Sequence, residues 1–375
     1  MIIIISIITA LYTILIGVLY VAYQKVKPFK LTHQAETSRF SIIIPFRNEA
    51  QNLDALLDSI KAIKYGKKLY EIIFVDDESE DNSVGIIKSY IRDNENTDIS
   101  ILKNERQSYS PKKDAIKTAI SKAKYEWIIT TDADCIVTSN WLQSFDQFII
   151  AKCPKLIVAP VTYKSTYSIL NYFQLHDFLS LQTATVSGFG ISNPFLCNGA
   201  NLCYDKSTFN DLNGFEGNDD IASGDDVFFM AKVFNNSPKD IHYIKSRSAI
   251  VYTRPQSTLP SLFNQRVRWA SKASAYNNTF SKILAFIVLL MNASLVLCTV
   301  LALLGLFSWQ FLSILFVMKF SIDILFISRS SCFFKQNTTL ISFPLNSFIY
   351  PFFVVLVSFY SIFFSYKWKG RQFKR

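Results

Sequence analysis

The chain has 375 residues, with 39 Lys and Arg against 29 Asp and Glu, a net charge of +10. Half of it is hydrophobic, which excludes a disordered chain, and only 18% is charged, below the roughly 25% of an ordinary soluble enzyme. The apolar residues gather at both ends and leave a middle of soluble character, the pattern of a membrane-anchored globular domain.

Met1 to Ala22 is almost wholly apolar, with no charge before Lys25. About 20 such residues span a bilayer as a helix, so residues 1–23 are predicted to be an N-terminal transmembrane helix. A cleaved signal peptide needs a basic leader and a small-residue cleavage site. No basic residue precedes this run, and Val21-Ala22-Tyr23 is a poor site. Lys25, Lys27 and Lys30 follow directly. Positive flanks stay cytoplasmic, which predicts an integral protein of a bacterial-type plasma membrane with the next domain in the cytoplasm.

Residues 39–281 read as that domain. Phe40 to Pro45 is an apolar, β-branched run suited to a buried parallel strand. Polar Phe46-Arg47-Asn48-Glu49 follows, then Leu53, Leu56, Leu57 and Ile60 at helical spacing. Tyr70 to Val75 is a second strand and runs into Asp76-Asp77-Glu78-Ser79. A helix is expected near Ser83 to Tyr90, a strand at Ile99 to Leu102 and a helix from Lys113 to Ala123. Trp127 to Thr130 is a fourth strand, ending in Thr131-Asp132-Ala133-Asp134. Such alternation predicts an α/β fold with a mostly parallel central sheet. The aromatic stretch from Tyr172 to Ser180 reads as packed core or membrane-contacting surface.

Residues 282–366 form a C-terminal membrane region. Ile283 to Phe307 is its cleanest apolar stretch. Phe311 to Ile327 is interrupted by Lys319 and Asp323, four apart on one helix face, where they can pair. Ser342 to Tyr366 contains Pro344 and Pro351, which argues against a straight helix in its first part. The tail at 367–375 carries five positive charges in nine residues. Keeping that tail inside favours two spans plus one interfacial or re-entrant segment over three spans. Positive charge at membrane borders points to lipid contact and not to nucleic acid. The six cysteines show no CxxC or zinc-site spacing, and His33, His176 and His242 leave little room for a histidine metal site.

Acidic clusters fall at the strand ends, where ligands of open α/β sheets bind. Two carboxylates at the spacing of Asp132 and Asp134 can share a hard cation, Mg²⁺ or Mn²⁺, completed by substrate phosphates. Taken alone, the Asp-Ala-Asp run also reads as a plain acidic turn. Asp76-Asp77 and a third pair, Asp225-Asp226 after Gly224, favour a metal–diphosphate site.

Five motifs then occur in order. They are Ile44-Pro45-Phe46-Arg47-Asn48-Glu49, Val75-Asp76-Asp77-Glu78-Ser79, Asp132-Ala133-Asp134, Gly224-Asp225-Asp226 and Gln265-Arg266-Val267-Arg268-Trp269. Together they resemble family 2 of the inverting glycosyltransferases, over about Arg39 to Lys272. The resemblance implies a GT-A fold, a nucleotide-sugar donor such as a UDP-sugar, a lipid or glycan acceptor, and Mg²⁺ or Mn²⁺. It implies that Pro45, Glu49, Asp76 or Asp77, Lys112, Asp132 and Asp134 serve the donor, the last two also holding metal. Asp226 would be the general base, with Asp225 next in line. Gln265, Arg268 and Trp269 would line the acceptor and diphosphate side, with Asn198, Gly199 and Asn201 in the acceptor region. Glu78 stands where the family more often has Gly. The motif Gln265 to Trp269 also fits an amphipathic membrane-surface helix, and Asn198-Gly199 an ordinary turn. The competing functions are a non-catalytic membrane scaffold that binds a nucleotide sugar, a processive polysaccharide synthase subunit, a transporter and a nucleotidyltransferase. An uninterrupted non-membrane block weakens the transporter, and the lack of a Gly-rich phosphate loop near the first strand weakens the nucleotidyltransferase.

Overall fold

The computed structural model describes every residue except 33, 95, 165–167, 219–220, 222–223, 273–277, 369–370 and 374–375. His33 and part of the basic tail therefore lie outside the described residues. In chain order the elements are α1 (Ile2–Lys25), β1 (Phe40–Phe46), α2 (Ala50–Lys61), β2 (Tyr70–Asp76), α3 (Ser83–Asp93) and β3 (Asp98–Lys103). Next come α4 (Pro111–Lys122), β4 (Trp127–Thr130), β5 (Ile136–Val137), α5 (Trp141–Lys152), β6 (Leu156–Val158), β7 (Val161–Tyr163) and α6 (Ile169–Gly190). Then follow β8 (Leu202–Asp205), α7 (Lys206–Asp211), α8 (Asp225–Asn236), β9 (Ile241–Tyr243), β10 (Val251–Thr253) and α9 (Leu259–Ala270). The chain closes with α10 (Thr279–Leu303), α11 (Trp309–Phe334), α12 (Phe343–Phe363), β11 (Tyr366–Trp368) and β12 (Arg371–Phe373).

These elements form two compact units. The α/β unit holds Lys27–Lys164 and Cys197–Arg254. Its seven-stranded sheet has the order β3-β2-β1-β4-β8-β6-β9. β1 pairs in parallel with β2 and with β4, so that Phe40 lies opposite both Tyr70 and Trp127. Ile42, Ile43, Ile44, Ile72, Ile73, Ile128 and Ile129 are all buried, because a parallel sheet is covered on both faces. Helix α2 buries Leu53, Leu56, Leu57 and Ile60 along one stripe. β8 runs antiparallel to both β4 and β6. The carboxyl ends of β1, β2 and β4 thus meet at one edge of the sheet.

The helical unit holds Met1–Val26, Ser165–Leu196 and Pro255–Arg375. Its core packs Tyr12, Ile16 and Leu19 of α1 with Ala184 of α6, Met291 and Leu295 of α10, and Leu315 and Phe326 of α11. Gly190 is the closest approach: a Cβ there would lie 2.0 Å from the Ala22 carbonyl oxygen. The block read from sequence as 39–281 is accordingly divided. Helices α6 and α9 pack with apolar helices: Ser187 Oγ of α6 donates to the Leu19 carbonyl at 2.7 Å and Thr183 Oγ1 to Ser330 Oγ at 2.7 Å, and Val267 of α9 packs with Val357 of α12.

Among the described residues, four helices are long and apolar enough to cross a membrane: Ile2–Lys25, Thr279–Leu303, Trp309–Phe334 and Asn337–Phe363. Three of the four correspond to the three C-terminal apolar stretches. The prolines of the last stretch do not prevent a helix. Pro344 sits in the first turn of α12, where no amide is needed, and Pro351 is carried inside the helix. Lys319 and Asp323 pair as expected, 2.5 Å apart.

Candidate active site

Three strand ends and two helix starts supply the site. After β4 the chain turns through Thr131 to Asp134, and both aspartates stay partly exposed. The Asp134 carboxylate accepts long hydrogen bonds from Thr253 Oγ1 at 3.4 Å and Cys135 Sγ at 3.5 Å. Pro111 opens α4, a placement suited to its fixed φ, and this presents Lys112 to the turn. Lys112 Nζ lies 2.5 Å from Asp132 Oδ1 and 3.8 Å from Asp225 Oδ2. Burial alone would depress this ammonium. Asp132 and Asp225 outweigh it and hold the lysine well above its usual value.

Helix α8 begins at Asp225. Gly224 precedes it at φ 86°, a left-handed conformation that glycine adopts without strain. Asp226 is therefore a first-turn residue and not the cap. Its Oδ2 accepts the Gly199 amide at 2.8 Å and its Oδ1 the Val227 amide at 2.8 Å. Gly199 is tightly placed, because a Cβ there would sit 3.1 Å from Asp225 Oδ2 and 3.4 Å from Asp226 Cβ. Thr130 Oγ1 donates to the Gly199 carbonyl at 2.8 Å and ties this turn to β4. Lys112, Asp132, Gly199, Asp225 and Asp226 are thus joined by direct contacts.

Other predicted residues divide into two groups. Glu49 is buried at the start of α2; its amide donates to Ser83 Oγ at 2.9 Å, and its Oε2 accepts from Asn52 Nδ2. Asp76 Oδ1 accepts the Ser79 amide at 3.0 Å and shapes the turn after β2. Asp77 is buried, accepts from Asn104 Nδ2 at 2.7 Å and lies 3.5 Å from Arg106 Nη1. Pro45 pairs within β1 opposite Val75. Asn198 Oδ1 accepts the Ala200 amide and caps the short 3₁₀ turn Gly199–Asn201. Asn201 is fully buried, accepts Trp141 Nε1–H at 2.9 Å, and donates to the carbonyls of Pro160 and Ala249. It braces the sheet.

Gln265, Arg268 and Trp269 lie on α9 in the helical unit. They are half-buried, whereas Arg266 and Val267 between them are buried. Spacing of three and four residues puts the first group on one helix face.

Sequence reasoning missed three supporting residues. Lys113 is fully buried and donates to the carbonyls of Asn218 at 2.5 Å and Ile221 at 2.9 Å. Asp114 accepts the amides of Gln107 and Ser108 and orders the loop before α4. Arg106 lies 3.4 Å from Asp114 as well as near Asp77. The adjacent lysine of Lys112-Lys113-Asp114 was the available signal.

Among the described residues, no group of three or more His, Cys, Asp or Glu is arranged to hold a metal. Burial, then Asp134 and Asp132, push the Cys135 thiol up, so it offers no thiolate. The donor set is two partly exposed carboxylates. That fits Mg²⁺ or Mn²⁺, which take one or two carboxylates and leave the remaining positions to phosphates and water.

A mostly parallel sheet with acidic turns at its carboxyl edge and an antiparallel β8 defines the GT-A class. Comparisons agree. Residues 41–207 match Glycosyl transferase family 2, and residues 127–363 match Glycosyl transferase family group 2. The chain belongs to glycosyl transferase family 2. It is 24% identical over 269 residues to a poly-beta-1,6-N-acetyl-D-glucosamine synthase of Staphylococcus epidermidis, covering 68% of this chain but 61% of that protein. It is 37% identical over 97 residues to an undecaprenyl-phosphate 4-deoxy-4-formamido-L-arabinose transferase of Yersinia pestis, covering 26% of this chain and 29% of that one. Its fold resembles a mannosyltransferase of Pyrobaculum calidifontis solved in complex with GDP-Man and Mn2+, with TM-score 0.56, 15% identity, and coverage of 92% of this chain and 99% of that one.

Proposed function

We propose that this protein is a membrane-bound inverting glycosyltransferase. It would move a sugar from a nucleotide-diphosphate sugar, a UDP-sugar first among them, to a lipid or glycan acceptor. The observation that carries the reading is the junction of Lys112, Asp132 and Asp225 beside an Asp226 held by the Gly199 amide.

The roles follow from that chemistry. Asp132 and Asp134 would hold Mg²⁺ or Mn²⁺, which when bound neutralises diphosphate charge. Glu49, Asp76 and Asp77 would serve the nucleoside end of the donor. Two amides orient the Asp226 carboxylate while leaving it further lone pairs for a proton. The acceptor oxygen attacks the anomeric carbon, its proton passes to Asp226, and the bond to the diphosphate oxygen breaks with inversion. Lys112 would stabilise charge on the departing diphosphate. Gln265, Arg268 and Trp269 are proposed for the acceptor and diphosphate side on the family motif. The names of the relatives support both lipid-linked and polysaccharide acceptors.

The membrane-bound reading rests on the four long apolar helices, and the cytoplasmic placement of the α/β unit on Lys25, Lys27 and Lys30. Cys153, exposed in that unit, should resist a membrane-impermeant thiol reagent on intact cells and react after lysis. Equal labelling in both would reverse the topology. Activity is tested by incubating the purified full chain with UDP-N-acetylglucosamine, UDP-glucose and GDP-mannose. The probe acceptors are undecaprenyl phosphate and β-1,6-N-acetylglucosamine oligomers, with Mn²⁺. Transfer that chelator abolishes supports the reading, and release of no nucleotide diphosphate from any donor refutes it.

A further inference from the structure

Within the helical unit a line of buried polar side chains reaches from α9 into the apolar helices, and none of the roles above uses it. It starts at Arg266, between the motif residues Gln265 and Trp269. Arg266 Nε donates to Asp177 Oδ2 of α6 at 2.5 Å, with the two side chains 6% and 9% exposed. Arg266 Nη1 also donates to Gln265 Oε1. Its guanidinium carbon lies 4.3 Å from the centroid of the Trp269 ring, and Phe178 approaches the same ring at 6.3 Å. Asp177 uses its other oxygen to accept from Tyr350 of α12 at 3.1 Å. Lys319 Nζ lies 5.6 Å from the Tyr350 ring and pairs with Asp323, which accepts from Tyr12.

A buried ion pair is weak evidence of a gain in stability, since desolvation cancels much of the attraction. Its planar five-donor fork lets one arginine meet a carboxylate, an amide oxygen and an aromatic face together; a lysine cannot. Asp177 fixes that fork, and the fork fixes the two residues on either side.

We propose that Asp177 is a positioning residue: through the Arg266 guanidinium it sets the side chains of Gln265 and Trp269 in the orientation in which they meet the acceptor. This rests on the acceptor role proposed for those two residues. The alternative is a plain tie between α6 and α9 that leaves both side chains as they are.

The test labels the full chain with 5-fluorotryptophan, which gives five resonances, and assigns Trp269 from Trp269→Phe. Arg266→Lys keeps the charge pair but loses the stacking and the bond to Gln265, so it folds even where Asp177→Asn does not. Both variants should shift the Trp269 fluorine resonance and leave Trp127 and Trp141 unmoved. Transfer from UDP-N-acetylglucosamine to the probe acceptors should fall about tenfold or more, the size of a lost bond to a charged group. Binding of UDP with Mn²⁺ should be unchanged, and Asp177→Glu should recover part of the loss. An unmoved Trp269 resonance in folded Arg266→Lys, or equal losses in transfer and UDP binding, would overturn the proposal. A wild-type protein that turns over no donor would sink the activity reading and leave the fluorine shift to decide the positioning.

Discussion

Lys112 Nζ and Asp132 Oδ1 stand 2.5 Å apart, so the carboxylate assigned to a divalent cation already carries a protein cation. Any metal that reaches Asp132 must compete with this ammonium, which a second carboxylate, Asp225, also holds. On the proposed roles, donor phosphates would offer Lys112 a new partner and release Asp132. Nucleotide-free protein should therefore bind Mn²⁺ weakly, and UDP should strengthen that binding. Lys112→Gln should bind Mn²⁺ without nucleotide about tenfold more tightly, the effect of removing about 1.4 kcal/mol of competing attraction. Electron paramagnetic resonance titration of free Mn²⁺ reads this directly, and equal affinities in the two proteins would refute it.

Asp226 and Asp132 should fail in different ways. A base acting on the acceptor hydroxyl matters in the transition state more than in donor binding. Asp226→Asn should lower kcat by roughly 100-fold or more, within the range for acid–base catalysis, with little change in UDP affinity. Asp132→Asn should weaken metal and UDP binding instead. Near-normal turnover of folded Asp226→Asn would move attention to Asp225, tested by the same substitution.

Two glycines give contrasting expectations. At Gly190 an added methyl would lie 2.0 Å from the Ala22 carbonyl oxygen, so α1 and α6 must separate. Gly190→Ala should cost about 1–3 kcal/mol, as other overpacked contacts do, and lower the melting temperature in detergent. At Gly199 the three nearest atoms to the added methyl are side-chain atoms of Asp225 and Asp226, at 3.1 Å and beyond. Gly199→Ala should leave melting nearly unchanged and reduce kcat by shifting Asp225 and Asp226. A cold-sensitive fold from Gly199→Ala with intact turnover would contradict this division.

His176 makes stability depend on pH. It is 4% exposed on α6. Its Nε2–H donates to the Thr339 carbonyl at 2.9 Å, and the Asn346 amide donates to Nδ1 at 2.8 Å, so the network assigns a neutral ring. Burial pushes its pKa down from 6.5 to about 4. Between those values the unfolded chain binds a proton that the folded chain does not. The stabilisation is therefore full above pH 6.5 and lost as pH falls towards 4. The loss at pH 5 should be about 2 kcal/mol. Melting curves at pH 7.5 and 5 should show it, and His176→Gln should flatten the difference. Identical slopes in both proteins would exclude His176 as the source.

Sequence periodicity was most informative where burial is continuous. The isoleucine runs of β1, β2 and β4 announced a parallel sheet, and the acidic residues after β2 and β4 fall at its carboxyl edge. Strands β6, β7, β9 and β10 have three residues each, too few for a period to register. Glu78 stands at φ 62°, which explains why a glycine suits that turn; one residue type cannot reveal a backbone angle. Asp132 and Asp134 were visible because they are neighbours in sequence. Asp177 and Arg266 were not, because 89 residues separate them and nothing local in either segment requires the other. The bracing role of Asn201 was hidden for a similar reason: its three partners come from α5 and from the segments at 160 and 249.

The chain leaves the α/β unit after Lys164 and re-enters it at Cys197. In between it makes α6, which packs with apolar helices. Cutting away both termini would therefore not isolate the α/β unit, because α6 travels with whatever remains. Synthesis faces the same order of events. The central sheet stays open between β4 and β6 until β8 arrives to fill the gap, and β8 follows α6 out of the ribosome. A nascent chain must emit all of α6 before its central sheet can close, so the α/β unit cannot complete its fold until part of the helical unit has been made.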